Sequence, residues 1–279
     1  MSNKFKILFH NFVFINIIVV LLSQINTTYP KIAIKKIPKT LILIIASDAD
    51  PIYIALQKVW RTYMHTDPEH FEAYFIKADP NLPVKYKIDG DIIWSQSVES
   101  LEPGILNKTI LSLECMLPRI KSGEFDYILR TNLSSFYILP GLLSYLKTCP
   151  TQRFYGGSSA CGFIYKRGHK YHAGSGSGFL LSSDMAQLLA ENKHNLIDDI
   201  SMADDVAIGH FFEINKIKLK QHPRLDFYTK TDFLQKHHKI TSKNFQIRVK
   251  NNQHRLRISD DIYIYNELLS KFYNKKLIL

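Results

Sequence analysis

Short apolar blocks separated by polar turns set the pattern of this chain. Thr40 to Ala46 (TLILIIA) is continuously apolar and largely β-branched, and it ends in the polar stretch Ser47 to Pro51. A run of that length closed by a turn predicts a strand buried on both faces, as in a parallel sheet. A helix is predicted next, from about Ile52 to Tyr63, and then a second strand over Phe71 to Lys77 (FEAYFIK). Pro103 to Ile120 carries Ile105, Leu106, Ile110, Leu113 and Leu117 at helical spacing. Phe125 to Arg130 (FDYILR) reads as a further buried strand and Leu139 to Lys147 as a helix. Strands and helices alternating in this way indicate an α/β fold, in which ligands gather beyond the carboxyl ends of the strands.

Three later segments have the character of a site. Tyr171 to Leu181 (YHAGSGSGFLL) sets three glycines ahead of an apolar stretch, and Ser183 to Glu191 continues as a helix. Glycines allow the backbone to approach a ligand closely, though a tight junction would use them too. This Gly-x-Gly-x-Gly does not follow the first strand, which excludes a dinucleotide-binding reading. Asp198, Asp199, Asp204 and Asp205 precede the apolar helix Val206 to Phe212. The helix dipole by itself is sufficient reason for acidic residues there. His222 precedes Pro223 and is expected in an extended segment. From Phe227 to Leu279 polar and apolar residues mix with little signature.

At the other end, Lys4 and Lys6 precede a mostly apolar run, Ile7 to Leu22. Its length lies between a signal peptide's apolar region and a full membrane span. Basic residues on the near side place the N-terminus in the cytoplasm, and no small-x-small cleavage site follows. An uncleaved signal anchor over 1–25 is the favoured reading; a cleaved signal and a buried helix are the alternatives. Residues 26–40, with two prolines and four lysines, read as a stem, and 41–279 as the folded domain.

The 279 residues, 46% hydrophobic, suffice for one sizeable core. A net charge of +11 raises nucleic acid as a partner, but the lysines are dispersed and no zinc-finger or RNA-binding motif accompanies them, so nucleic-acid binding is not expected. A basic surface equally suits an enzyme that handles pyrophosphate. The three cysteines, Cys115, Cys149 and Cys161, have no zinc-site spacing; Cys149 with Cys161 is the candidate disulfide, and three reduced thiols the alternative. Sequons occur at Asn26, Asn107 and Asn132.

Four segments, in order, resemble the fringe and β-1,3-galactosyltransferase-like glycosyltransferases. Phe125 to Phe136 (FDYILRTNLSSF) is similar to that family's strand leading into an Asp-x-Asp motif, and Tyr171 to Ser182 to its Gly-x-Gly block. Ala203-Asp-Asp-Val-Ala-Ile-Gly209 resembles its Asp-Asp-Val-x-x-Gly block, and Leu106 to Thr109 its Lys-Thr helix, with Trp60 where the family carries a Trp. The resemblance implies a GT-A fold: a Rossmann-like mixed sheet flanked by helices, here with an N-terminal membrane-anchor helix. It also implies a single-pass type II membrane protein with its catalytic domain in a Golgi- or ER-like lumen.

Carried over residue by residue, it makes Asp205 the general base and Asp204 its orienting neighbour, with Gly176 and Gly178 lining the sugar pocket. Ser47 and Asp48 would meet the nucleoside, and Lys108, Arg130, Asn132 and Ser134 the ribose or diphosphate. The partners implied are a nucleotide-sugar donor, a UDP-sugar by family usage, and a glycan or glycoprotein acceptor.

The family's Asp-x-Asp triplet falls on Asn132-Leu133-Ser134, so both metal-binding carboxylates are missing. Hard cations prefer anionic oxygens. Three outcomes follow: a metal-independent enzyme that uses Arg130, Lys108 or His222 against leaving-group charge; Mn²⁺ or Mg²⁺ held weakly, with His222 as a ligand; or an inactive relative that binds nucleotide or glycan. The intact segment around Asp205 favours the first, an inverting transferase.

Overall fold

The computed structural model describes residues 36–159, 163–165, 169–194, 196 and 202–277. The anchor expected over 1–25, nearly all of the stem, and Cys161 lie outside the described residues. Among the described residues no helix is long and apolar enough to cross a membrane.

The first block forms strand β1 (Thr40–Ile45), and all of its residues are buried. Its side chains alternate between two cores, which explains the unbroken apolar run. Ile42 and Ile44 join one cluster, and Leu41, Leu43 and Ile45 the other. Helix α1 (Pro51–Tyr63) begins where Pro51 supplies a preset φ and the Asp50 carboxylate accepts the Ile52 amide at 3.0 Å. Strand β2 (Phe71–Ala78) returns parallel to β1, and the hairpin of β3 (Tyr86–Asp89) and β4 (Ile92–Ser95) closes that edge. Helix α2 (Gly104–Lys121) then crosses to β5 (Tyr127–Asn132), which lies parallel to β1 on its other side.

The chain continues through β6 (Ser135–Tyr137), α3 (Leu139–Leu146), β7 (Tyr155–Ser159), β8 (Phe163–Tyr165) and β9 (His169–Tyr171). It then forms β10 (Gly174–Ser182), α4 (Ser183–Glu191), α5 (Asp204–Ile214), β11 (Leu219–Gln221) and β12 (Leu225–Phe227). Strand β10 runs antiparallel between β5 and β7, giving a mixed eight-stranded sheet in the order β11-β7-β10-β5-β1-β2-β4-β3. Helices α2, α4 and α5 bury their apolar faces on one side of it.

The segment that showed little signature is well folded. After α6 (Lys230–Lys236), β13 (Gln246–Val249) pairs with β6 and β12 as a second, three-stranded sheet. Helix α7 (Arg257–Tyr273) packs with α1 and α3 on the other side of the large sheet, where Tyr63, Phe136, Tyr137, Tyr265 and Tyr273 cluster with Trp60. The pattern Ile262, Tyr265, Leu268, Leu269 has helical spacing and is the signal that could have found α7.

Candidate functional site

After β1 the chain moves to β2 on one side and later returns to β5 on the other. The strand order therefore reverses at β1, opening a crevice beyond the carboxyl ends of β1 and β5. Register sets Ile45 opposite Asn132 at that edge. A cleft of about 370 Å³ lies there, bordered by Ser47 from the turn before α1, Tyr53 of α1, Lys108 of α2, Asn132 at the end of β5, Ser134 beyond it, and Lys250 and Arg257 from the C-terminal part of the chain. A hollow of about 250 Å³ adjoins it, bordered by Arg130, Gly176, Asp204, Asp205 and Arg248; Asn132, Ile45, Leu101 and Ile105 border both.

The two neighbouring aspartates at the start of α5 have different surroundings. Asp204 points inward and pairs with the Arg130 guanidinium of β5; the residues are 5% and 2% exposed. Burial raises the Asp204 pKa, opposed by Arg130 and reinforced by the charge of Asp205. Arg130 also donates to the Gly176 carbonyl and lies 5.3 Å from the Phe179 ring, while its Nε has no partner. Asp205 is half-buried on the hollow. Its Oδ2 accepts the Gly176 amide at 2.6 Å and its Oδ1 the Val206 amide at 3.0 Å. Two fixed amides orient the carboxylate, and each oxygen retains acceptor capacity for a further donor.

Gly176 is the pivot of this arrangement. Its amide holds Asp205, and its carbonyl accepts from both Arg130 and Asn132 Nδ2, the latter at 3.0 Å. A Cβ there would lie 2.9 Å from Asp205 Oδ2. Gly178, expected to line the same pocket, instead sits at φ +155° against a buried partner, where a Cβ would fall 2.0 Å from the Tyr137 hydroxyl. Its requirement for glycine is one of packing.

The other expected residues divide. Ser47 borders the cleft. Asp48 is exposed and engaged by Lys77 at 2.7 Å and by Gln57 at 2.9 Å. Lys108 is fully buried and donates to Glu99 at 2.7 and 2.9 Å and to the Ala46 carbonyl at 3.0 Å. Burial lowers its pKa, and Glu99 opposes that. Lys108 and Arg130, expected to face leaving-group charge, thus already have carboxylate partners.

His222, expected as a metal ligand or a leaving-group cation, lies away from the crevice. It is buried against Phe245 at 4.9 Å and Tyr145 at 5.6 Å between ring centroids, and it borders neither hollow. Burial lowers its pKa to about 4. The short strand β11 sets this position: pairing with β7 carries His222 to the Gly157 carbonyl, which accepts its amide at 3.2 Å, away from β5.

The side-chain oxygens of the Asn132–Ser134 turn are neutral and face hydrogen-bond donors. Asn132 Oδ1 accepts the Ser134 amide at 3.1 Å, and Ser134 Oγ accepts from the Arg257 guanidinium at 3.3 Å. Among the described residues no group of three His, Cys, Asp or Glu side chains could hold a metal ion. Neutral oxygens, one of them facing a guanidinium, are poor ligands for Mn²⁺ or Mg²⁺.

Three further residues at the crevice, which no motif marks, are basic and come from the last quarter of the chain. Arg248 reaches the hollow and Lys250 the cleft because β13 pairs with β6, directly after the Asn132–Ser134 turn, and the Val249 amide donates to the Ser134 carbonyl at 2.8 Å. Arg257 opens α7 and pairs with buried Asp261 at 2.8 Å. The alternation in Gln246–Val249 (QIRV) is the only local hint of β13, and it says nothing about its partner strand.

No protein-family model matches the sequence, and no curated protein matches it. Among solved structures the chain is similar to a glycosyltransferase involved in the glycosylation of the major capsid of PBCV-1, at 7% identity and a TM-score of 0.43 over 76% of this chain and 92% of that one.

Proposed function

We propose that this protein is an inverting glycosyltransferase that moves a sugar from a nucleotide diphosphate, a UDP-sugar by its resemblance to the fringe-like enzymes, to an acceptor hydroxyl on a glycan or glycoprotein. The observation that carries the reading is Asp205. Its carboxylate is oriented by the Gly176 and Val206 amides on a hollow contiguous with the crevice at the strand-order reversal.

In this reading the donor lies across the ends of β1 and β5 with its diphosphate toward Asn132, and the acceptor hydroxyl meets Asp205. The acceptor oxygen bonds to the anomeric carbon as its proton passes to the Asp205 carboxylate. The bond from that carbon to the diphosphate oxygen breaks, and its electron pair leaves with the nucleotide. A carboxylate suits the step because it is ionised before attack and within hydrogen-bond reach of the incoming oxygen. Asp204, tied to Arg130, holds the start of α5 in place and is a positioning residue. The membrane-anchored, lumenal placement is part of the same proposal; it rests on the run Ile7 to Leu22, outside the described residues.

The test is hydrolysis and transfer by the purified protein over a panel of nucleotide sugars, with and without EDTA. Asp205→Asn is expected to lower the transfer rate by about a hundredfold or more while donor affinity changes little. Unchanged turnover in that variant would remove Asp205 as the base. A second reading, a binding protein without chemistry, is favoured by the neutral residues Asn132 and Ser134 at the expected carboxylate positions. Nucleotide binding with no turnover under any metal condition would select it.

A further inference from the structure

Most cations around the crevice have a carboxylate partner, and among the described residues Lys250 is the exception. Glu99 neutralises Lys108, and Asp204 neutralises Arg130. Arg257 is paired by Asp261. Arg248 has Asp226 at 3.8 Å, but that carboxylate is gripped by both arms of Arg224, at 2.5 and 2.8 Å. Lys250 is exposed at the rim and has no ion pair among the described residues. Partial desolvation, followed by the charges of Arg248 and Arg257, lowers its pKa, with Asp261 opposing. Like charges held together beside a concave surface, with their carboxylates otherwise engaged, favour an anion there and disfavour a second cation.

We infer that Lys250 and Arg248, backed by Arg257 on Ser134, form a diphosphate cradle that takes the place of a divalent cation in this crevice. The inference rests on the transferase reading and deepens it by assigning the group that holds the donor's phosphates. The placement follows from topology. Strand β13 adds to β6 immediately beyond the Asn132–Ser134 turn, so its basic end stands over the position where a metal-dependent site would put its carboxylates. As the bond from the anomeric carbon to the diphosphate oxygen breaks, the departing electron pair gains negative charge on that oxygen, and fixed ammonium and guanidinium groups lower its energy without a metal. Arg248 borders the hollow that contains Asp205, and Lys250 the adjoining cleft, so the two cations span the junction where Asn132 lies.

The experiment uses the full chain and isothermal titration with UDP, GDP, ADP and CDP, and with the matching nucleosides, in EDTA and again in Mn²⁺. The nucleoside diphosphate that binds is expected to do so equally well under both conditions. Lys250→Ala should weaken it about tenfold, and Lys250→Ala with Arg248→Ala further, because each removes a charge-assisted contact; nucleoside affinity should not change. Lys250→Arg should restore most of the loss, and an unchanged melting temperature identifies the effect as local. Binding that requires Mn²⁺, or variants that bind diphosphates as the parent does, would overturn the cradle and leave the transferase reading standing. No binding of any diphosphate under either condition would remove the transferase reading and the cradle with it.

Discussion

The Arg130–Asp204 pair offers a quantitative test of how the site is built. Replacing Arg130 with Met keeps most of the stem volume but leaves Asp204, 5% exposed, without its counter-charge. Breaking a buried pair from one side typically costs about 3–5 kcal/mol, against a total stability of about 5–15 kcal/mol for a domain. Loss of the donor to the Gly176 carbonyl belongs to the same cost, and Asn132 remains to satisfy that oxygen.

The pH dependence of this loss has a definite sign. Burial raises the Asp204 pKa above its ordinary 3.8, so the folded state holds the proton more tightly than the unfolded chain. The stabilisation from that neutral form is complete below 3.8 and is lost as pH rises through the raised folded value. Arg130 opposes the shift, so its removal moves the folded value further up. The Arg130→Met deficit should therefore be largest near neutral pH and shrink as the solution is acidified. Urea unfolding of parent and variant at a series of pH values measures it. Adding Asp204→Leu to Arg130→Met removes the orphaned charge and should recover all but about 1 kcal/mol. A deficit below about 1 kcal/mol at neutral pH, or one that does not shrink on acidification, would refute the account of a desolvated pair.

Two further outcomes are expected from the glycine and histidine positions. Gly178→Ala places a Cβ 2.0 Å from the Tyr137 hydroxyl at a φ of +155°, so thermal unfolding should show a loss of about 2 kcal/mol or more; an unchanged melting temperature would show that this approach can relax. His222 has a folded pKa of about 4 against an ordinary 6.5, so its contribution to stability is present above pH 6.5 and is lost as pH falls toward 4. His222→Leu should flatten the stability profile across that window and leave the EDTA response of nucleotide binding unchanged; a steeper profile or a new metal response would contradict the buried, neutral assignment.

Much of the scaffold was legible in local pattern. The apolar run Thr40 to Ala46 became a fully buried strand because both of its faces meet a core, and the helices over Ile52 to Tyr63 and Pro103 to Ile120 follow their spacing to within a residue or so. The strand read over Phe125 to Arg130 runs instead from Tyr127 to Asn132, because its register with β1 extends it to the crevice edge. The segment Tyr171 to Leu181 divides between β9 and β10 at His172 and Ala173.

What the sequence determined by itself was periodicity: which residues alternate between two cores, and where turns break them. Adjacent residues such as Asp204 and Asp205 are indistinguishable at that level, and only the tertiary structure separated them, by bringing Arg130 against one and the Gly176 amide against the other. The same holds for the cations. Lys108, which local resemblance placed on the donor, is consumed by Glu99, and the charge that borders the crevice from half-buried Arg248 and exposed Lys250 arrives through the pairing of β13 with β6. Electrostatic role depends on distance and burial, and for residues brought together from separate elements those quantities exist only once the chain has folded.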